Sequence, residues 1–504
     1  MDRASEAFVL GLDLGSSSCK VCALDVSGRI LGTETESYPT VFPQPSWAEQ
    51  DPSHWIAALG KASKKLVSSL GLMGKNARGL AITSAAHIAV LLDSEKKVLR
   101  NAILWSDQRS AREAKEIADN AGDEVLRLSN NWPTSTWSLA HLAWLRKKEP
   151  QVMRETRYVL LSKDYIGFLL TGRMVTDPSA AVSAMLMDVD HGTWSKQLCD
   201  LIDLDVSVLP EIVPTGDEIG TITNWGAQIL GISEKARVFN GSMDSTAETF
   251  AAGVRTSSQF VIRLASAGGI HVIADPALAR RNLISYPYCD GPFWLSQAGT
   301  NTCASAVAWA RRSLTSEKEI PDFNEWSVLA AKSSPGSSGV MFHPYLSGER
   351  CPYWDGELRA SFTGLSLHST KSDMARAVYE GTAYSLRDAA RVLEAEGVHL
   401  DEVKIVGGGA HSDLWTQTVA NVFDCPVTPI SHADSSAGAA LYSLVGLGLF
   451  EGFAEVPHDV LTSKVDTRVL PNASLKSFFQ DEFERYRFAQ QHISAVAHFI
   501  RRQP

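Results

Sequence analysis

Hydrophobic positions in this chain fall into short alternating runs, each ending in a turn of small residues, with longer runs of helical period between them. In Phe8–Leu14, Val9, Gly11 and Asp13 face one way and Leu10, Leu12 and Leu14 the other, which predicts a strand. Gly15-Ser16-Ser17-Ser18 is a hydroxyl-rich turn; Lys20–Val26 then alternates up to a second turn at Ser27-Gly28. Leu80–Asp93 predicts strand, break and strand, with Ser84-Ala85-Ala86-His87 as the break. Val238–Phe250 predicts a short strand, a turn at Gly241 and a helix with Asp244 in its first turn. From Phe260 the opening pattern returns: Val261, Arg263 and Ala265 alternate with Phe260, Ile262 and Leu264. A small-residue turn, Ser266–Gly269, and a strand, Ile270–Ala274, follow. This echo predicts an internal duplication. The boundary falls after the composition change at Gly253–Ser258, dividing the chain into domains 1–254 and 255–504.

Helices are predicted from Asp51-Pro52 to about Leu70, from Ser162, over Ser372–Ala395 and within Ala437–Phe450. The last run is too short to span a bilayer. Ala331–Gly339 reads as a flexible connection. Asp107, after Trp105, reads either as a helix N-cap or, with Arg109, as a pocket wall. Trp132, Trp137 and Trp144 either fill a core or line a sugar site. Tyr345–Asp355 places an acid–base pair, Glu349 and Arg350, among aromatics.

With 504 residues there is room for more than one domain. A net charge of −10 argues against nucleic-acid or anionic-membrane partners. No signal-peptide pattern opens the sequence, and seven scattered cysteines suit a reducing cytoplasm better than a disulfide framework. Cys19 and Cys22 share a predicted strand and point to opposite faces, as core residues do.

The chemistry begins at Asp13. A carboxylate at a strand end, followed by a turn offering N–H groups, hydroxyls and Lys20, suits a hydrated cation and its phosphate. A Walker A loop is rejected, because no glycine precedes the lysine and a strand follows it. An ordinary hairpin remains open on these residues alone. Asp244 is either an N-cap or a carboxylate able to take a proton from an alcohol. Gly407-Gly408-Gly409 lies between a strand, Val403–Val406, and a helix from Ser412. It lacks the sixth position of a dinucleotide fingerprint and better suits a base and ribose lying against bare backbone.

Together these stretches resemble the FGGY carbohydrate kinases over almost the whole chain. Tyr345–Arg387 carries Gly348-Glu349-Arg350, Gly364-Leu365, Arg376-Ala377 and Glu380-Gly381 in the family's order. The opening turn, Trp105-x-Asp107-x-Arg109, Gly241-x-x-Asp244 and the triple glycine follow it too. The resemblance implies an α/β protein of two ribonuclease-H-like domains, as in actin, hexokinase and the Hsp70 ATPase, flanking a deep interdomain cleft. It implies ATP mainly on the second domain, sugar on the first, and Mg²⁺ held by Asp13 through water. By position Ser16, Ser17, Ser18, Lys20 and Ser266 meet the phosphates, and Ala304, Gly408, Gly409 and Asp413 border the adenosine. The resemblance further implies Asp244 as the catalytic base, with Ala86, His87 and Trp105 beside the sugar.

Several positions depart from the family pattern. Ala85 and Ala86 replace a larger pair, His141 stands where many members carry Lys, Ser266 for Thr and Ala304 for Gly. Ala86-His87 in place of Arg-Glu argues against glycerol. The resemblance favours a ketopentose such as D-xylulose, with gluconate or another polyol or ketose kept open, and leaves a homodimer open. A weakened sugar or nucleotide sensor on the same fold is the second hypothesis, and an NAD oxidoreductase the third.

Overall fold

The computed structural model describes residues 6–501 except 258, 290, 317–319, 431 and 462–466. Ser258, the last residue of the composition change, lies outside the described residues. Two six-stranded sheets form the framework. The first runs, in spatial order, Glu218–Thr221, Arg237–Phe239, Ala77–Ser84, Phe8–Leu14, Ser18–Asp25 and Ile30–Ser37. The second runs Ile284–Pro287, Trp294–Gly299, Gly268–Ala274, Gln259–Leu264, Glu402–Val406 and Val427–Pro429. Inside each lies the same five-strand core of order 3-2-1-4-5. Its first three strands are antiparallel, and the last two run parallel to the first. The predicted duplication is thus one of topology, and both halves are α/β units of ribonuclease-H type.

The alternation read from sequence sets which core each residue joins. Leu10, Leu12 and Leu14 pack beneath the first sheet with Trp55 and Leu59. Val9 turns to the opposite face, against Phe239 and Phe250. Cys19 and Cys22 divide between the same two cores, and burial pushes the Cys19 thiol up to about 12. A fully buried leucine contributes roughly 1.5–3 kcal/mol, so the register of this strand is strongly specified.

Two helices sit between the sheets, Asp244–Ala251 from the first half and Ser435–Gly446 from the second. The Ser435 helix lies directly on the opening strand and on the Asp244 helix. A Cβ on Gly11 would stand 1.8 Å from the Ser436 carbonyl oxygen, and one on Gly438 2.1 Å from that of Ala247. Only glycine permits either approach. The core around this pair takes Val9, Phe239 and Phe250 from one half and Val261, Ile273 and Leu441 from the other.

The helices Pro52–Ser69 and Lys371–Glu394 match expectation, with Asp51 and Thr370 as their N-caps. Three readings are corrected. Asp107 caps no helix: the next one starts at Ala111, and the fully buried carboxylate takes N–H groups from Ala48 and from the Arg109 backbone and guanidinium. Ala331–Gly339 is no loose connection, because Glu380 accepts from Gly336 and Ser337 while Asp373 accepts from Ser333 and Ser338. Glu349 and Arg350 do not pair through their side chains; Glu349 accepts the N–H groups of Asn301 and Arg350 and the Ser385 hydroxyl. Among the described residues no helix is long and apolar enough to cross a membrane.

Candidate active site

A cavity of about 520 Å³ lies between the halves, and residues at equivalent places in the two sheets line it. The end of each first strand contributes Asp13 or Arg263, followed by Leu14-Gly15-Ser16 in one half and Leu264-Ala265-Ser266 in the other. Beyond the fourth strand of the first sheet come Ala85, Ala86 and His87; beyond the fifth comes Asp244. Ser435 lies beyond the fifth strand of the second sheet and also reaches the cavity. In each sheet parallel strands deliver these residues to the same, C-terminal end. Ala85 donates its N–H to Leu14 O at 2.9 Å, and Ser84 bridges Met243, so Asp13, Ala86 and Asp244 converge.

The opening turn is braced from outside. Tyr38 donates to the carbonyls of Gly15 and Ser18, and Gln50 Nε2 donates to Ser16 O at 2.8 Å. Trp105 Nε1 donates to Ser16 Oγ at 2.8 Å, which joins the aromatic wall to the turn. Asp244 is the first residue of its helix, with Met243 as N-cap, and accepts from Ser245 N at 2.7 Å.

Acidic groups crowd the cavity. Burial, then the charges of Asp244 and Asp434, push Asp13 well above the usual carboxylate range. Asp13 Oδ1 is buried without a hydrogen-bond partner. Burial raises Asp244 too, and Arg263 opposes that shift. Glu248, one turn after Asp244, is also raised by burial, and its Oε2 lies 2.8 Å from Arg263 Nε. His271 accepts no proton readily: burial lowers it to about 3, and its Nδ1 pairs with Thr249 Oγ1 at 2.9 Å.

His87 lines the cavity, but both of its ring nitrogens are engaged. Nδ1 lies 2.8 Å from the Ser183 carbonyl oxygen, which can only accept, so Nδ1 carries the proton. Nε2 is therefore the acceptor for the Tyr286 hydroxyl, also at 2.8 Å. Burial holds the ring neutral, lowering it to about 3. Trp137 packs edge-on against it at 4.3 Å, a core role for that tryptophan. Tyr286 itself also lines the cavity.

Of the other residues named from sequence, Ser16, Ala86, Trp105, Ser266 and Asp244 line this cavity with Asp13 and His87. Ser17 is exposed on the turn and Ser18 starts the next strand. Lys20 points at Asp434 instead, with Nζ 3.1 Å from Oδ2. Ala304 opens the helix Ala304–Ser313, its N–H on Ala265 O at 2.8 Å beside the Ser266 turn. Gly408 is exposed and Gly409 buried, one turn beyond the strand that pairs with Gln259–Leu264. A Cβ on Gly407 would stand 2.8 Å from Leu264 O, so the triple glycine adjoins the Ser266 turn. Asp413 is exposed in the first turn of the next helix.

Sequence reasoning missed Arg263, His271, Tyr286 and Gln297, all from the second half and all lining the cavity. One signal existed: Arg263 interrupts an otherwise apolar run at the counterpart of Asp13 in the duplication. The other three come from strands whose facing cannot be read before the halves are docked.

Comparison with known proteins agrees with this fold. The N-terminal domain of the FGGY family of carbohydrate kinases matches residues 8–251, and its C-terminal domain matches residues 268–447. A xylulose kinase from Lactococcus lactis is 28% identical over 97% of this chain and 98% of its own. A xylulose kinase from Escherichia coli is 30% identical over 82% of this chain and 84% of its own. The crystal structure of gluconate kinase from Lactobacillus acidophilus is similar with a TM-score of 0.89 at 25% identity, covering 98% of this chain and all of that one. This chain belongs to the FGGY family of carbohydrate kinases, enzymes that phosphorylate a sugar with ATP.

Proposed function

We propose that the chain transfers the γ-phosphoryl group of ATP to a hydroxyl of a ketopentose such as D-xylulose, giving the 5-phosphate. The observation that carries this is the convergence of Asp13 and Asp244 on one cavity. The two xylulose kinases above support the choice of sugar. Asp244 is the general base, its affinity for a proton increased by burial and its position fixed by Ser245. Asp13 presents a buried, unpartnered oxygen, which fits a hydrated Mg²⁺ whose other ligands are waters and phosphate oxygens. When bound, that ion offsets charge on those oxygens.

In this reading residues 1–254 carry the base and most of the sugar site, and residues 255–504 carry the nucleotide. Ser16 and Ser266 meet the phosphates from opposite turns, with Ser17, Ser18 and Lys20 beyond. Ala304, Gly408, Gly409 and Asp413 border the adenosine, and Ala86, His87 and Trp105 wall the sugar. The enzyme works on small molecules in the cytoplasm, a setting suited to its seven free thiols.

Arg350 favours a second reading. It lines the cavity, donates Nη2 to Thr300 O at 2.8 Å and leaves Nε without a partner. A cation so placed would accept the carboxylate of an aldonate, and the gluconate kinase above has the same fold. A coupled ADP-release assay over pentuloses, hexuloses, polyols and aldonates separates the two. D-xylulose is expected to give the highest kcat/KM; preference for gluconate selects the second reading, and no sugar-dependent turnover rejects both. Asp244→Asn is expected to lower kcat by about 10²–10⁴ while ATP still binds, because only the proton acceptor is lost.

A further inference from the structure

Arg263 occupies in the second half the place Asp13 holds in the first, at the end of the first strand and before a Leu-x-Ser turn that lines the shared cavity. Its Nε lies 2.8 Å from Glu248 Oε2, on the helix that begins with Asp244. Glu248 and Asp244 are four residues apart and so present both carboxylates on one face of that helix. Among the described residues no hydrogen bond engages the two Nη nitrogens, so four N–H donors in a rigid fork are left for the cavity. Lys20, the cation expected at the phosphates, is turned to Asp434 and does not line the cavity.

The charge balance shows why this matters. Asp13 and Asp244 line the space the phosphate oxygens would enter, and of the two arginines that line it, Arg263 and Arg350, Arg263 is the one whose charge acts on both carboxylates. A polyphosphate brought against those carboxylates alone would be repelled. A guanidinium that lines the cavity and is ion-paired at Nε with a buried glutamate can offer its Nη fork to phosphate oxygens.

We infer that Arg263 is the side chain that binds the phosphoryl group in transit, in place of Lys20. The inference rests on the kinase reading above. In the step itself, the acceptor oxygen bonds to the γ-phosphorus and its proton passes to Asp244. The bond from that phosphorus to the β–γ bridging oxygen breaks, and its electron pair leaves on ADP. Arg263 donates to the equatorial oxygens throughout, and Glu248 keeps the fork in place.

The test uses the full chain with Arg263→Gln, Arg263→Lys and Lys20→Met. Arg263→Gln is expected to lower kcat by about 10²–10³ and Lys20→Met by much less. In binding measurements it should leave ADP affinity within about threefold but remove most of the advantage of ADP–aluminium fluoride, a mimic of the phosphoryl in flight, over ADP. Should the Gln variant fail to fold, Arg263→Lys keeps the charge and loses the fork, and should still cost about tenfold in kcat. Unchanged kcat, or equal loss of ADP and of its fluoride complex, overturns the role and leaves Arg263 a structural partner of Glu248. A native chain inactive on every sugar would sink the kinase reading instead, and the fluoride comparison would still decide for or against Arg263.

Discussion

At the scale of single residues, His87 illustrates how a correct position can carry an unexpected role. Its place at the cavity was legible from the family motif. Its hydrogen bonding was not, because the two groups that fix it, Ser183 O and Tyr286 Oη, lie 96 and 199 residues away. With Nδ1–H on a carbonyl and Nε2 accepting from Tyr286, the ring takes the tyrosine's hydrogen bond, so in the proposed reading the oxygen of Tyr286 would meet the sugar as an acceptor. Tyr286→Phe is therefore expected to raise KM for the sugar about tenfold, the worth of one hydrogen bond of roughly 1.4 kcal/mol, with kcat little changed. Steady-state kinetics check this; a fall in kcat at constant KM would contradict it. The sign of the His87 shift adds a second arm. With the ring held near 3, it stays neutral as pH falls from 8 to 5, so native KM should show no inflection near the ordinary histidine value in that range.

At the scale of elements, the strands and turns that carry the site were legible because alternation and small-residue turns are local properties. The opening strand, its duplicate near Arg263 and the strand–glycine–helix stretch near Gly407 all stand where the pattern put them. Ala331–Gly339 did not, since glycine and serine signal a turn while its order comes from Glu380 and Asp373, some forty residues on. The N-cap alternative for Asp107 failed for the same reason, because Ala48 lies far away in sequence. Helix contact is equally non-local: nothing in Ser435–Gly446 announces that Gly438 meets the Ala247 carbonyl. Because a methyl there would press on backbone that cannot yield, Gly438→Ala is expected to destabilise the chain by about 1–3 kcal/mol, read as a lower denaturation midpoint at unchanged slope. Turnover should fall as well, because Asp244 begins the helix that is displaced.

At the scale of the whole molecule, two of the ties between the halves bear on where the cleft can open. One tie is the pair of helices at Gly438 and Ala247. The other is at the proposed sugar end, where Asn131 of the first half acts as an extra edge for the second sheet. Its Oδ1 accepts from Ser285 N at 2.9 Å and its Nδ2 donates to Ser285 O at 2.8 Å, beside the Tyr286–His87 bond. Asn131 is fully buried, so these bonds are made without competition from water. The half-exposed Lys20–Asp434 pair is a weaker tie between the halves than these buried bonds, so movement is left chiefly to the proposed nucleotide side, where the Ser266 turn and the triple glycine lie. A kinase must keep water from the γ-phosphate until the sugar hydroxyl is in place, and a sugar end held shut serves that need. Asn131→Ala loosens this end without touching Asp13 or Asp244. ADP release in the absence of sugar should rise severalfold relative to sugar-dependent turnover, measured in one coupled assay. A lower melting temperature with an unchanged ratio would mean that the clamp contributes stability alone, and that water is excluded by the cavity walls around Trp105 and Tyr286 instead.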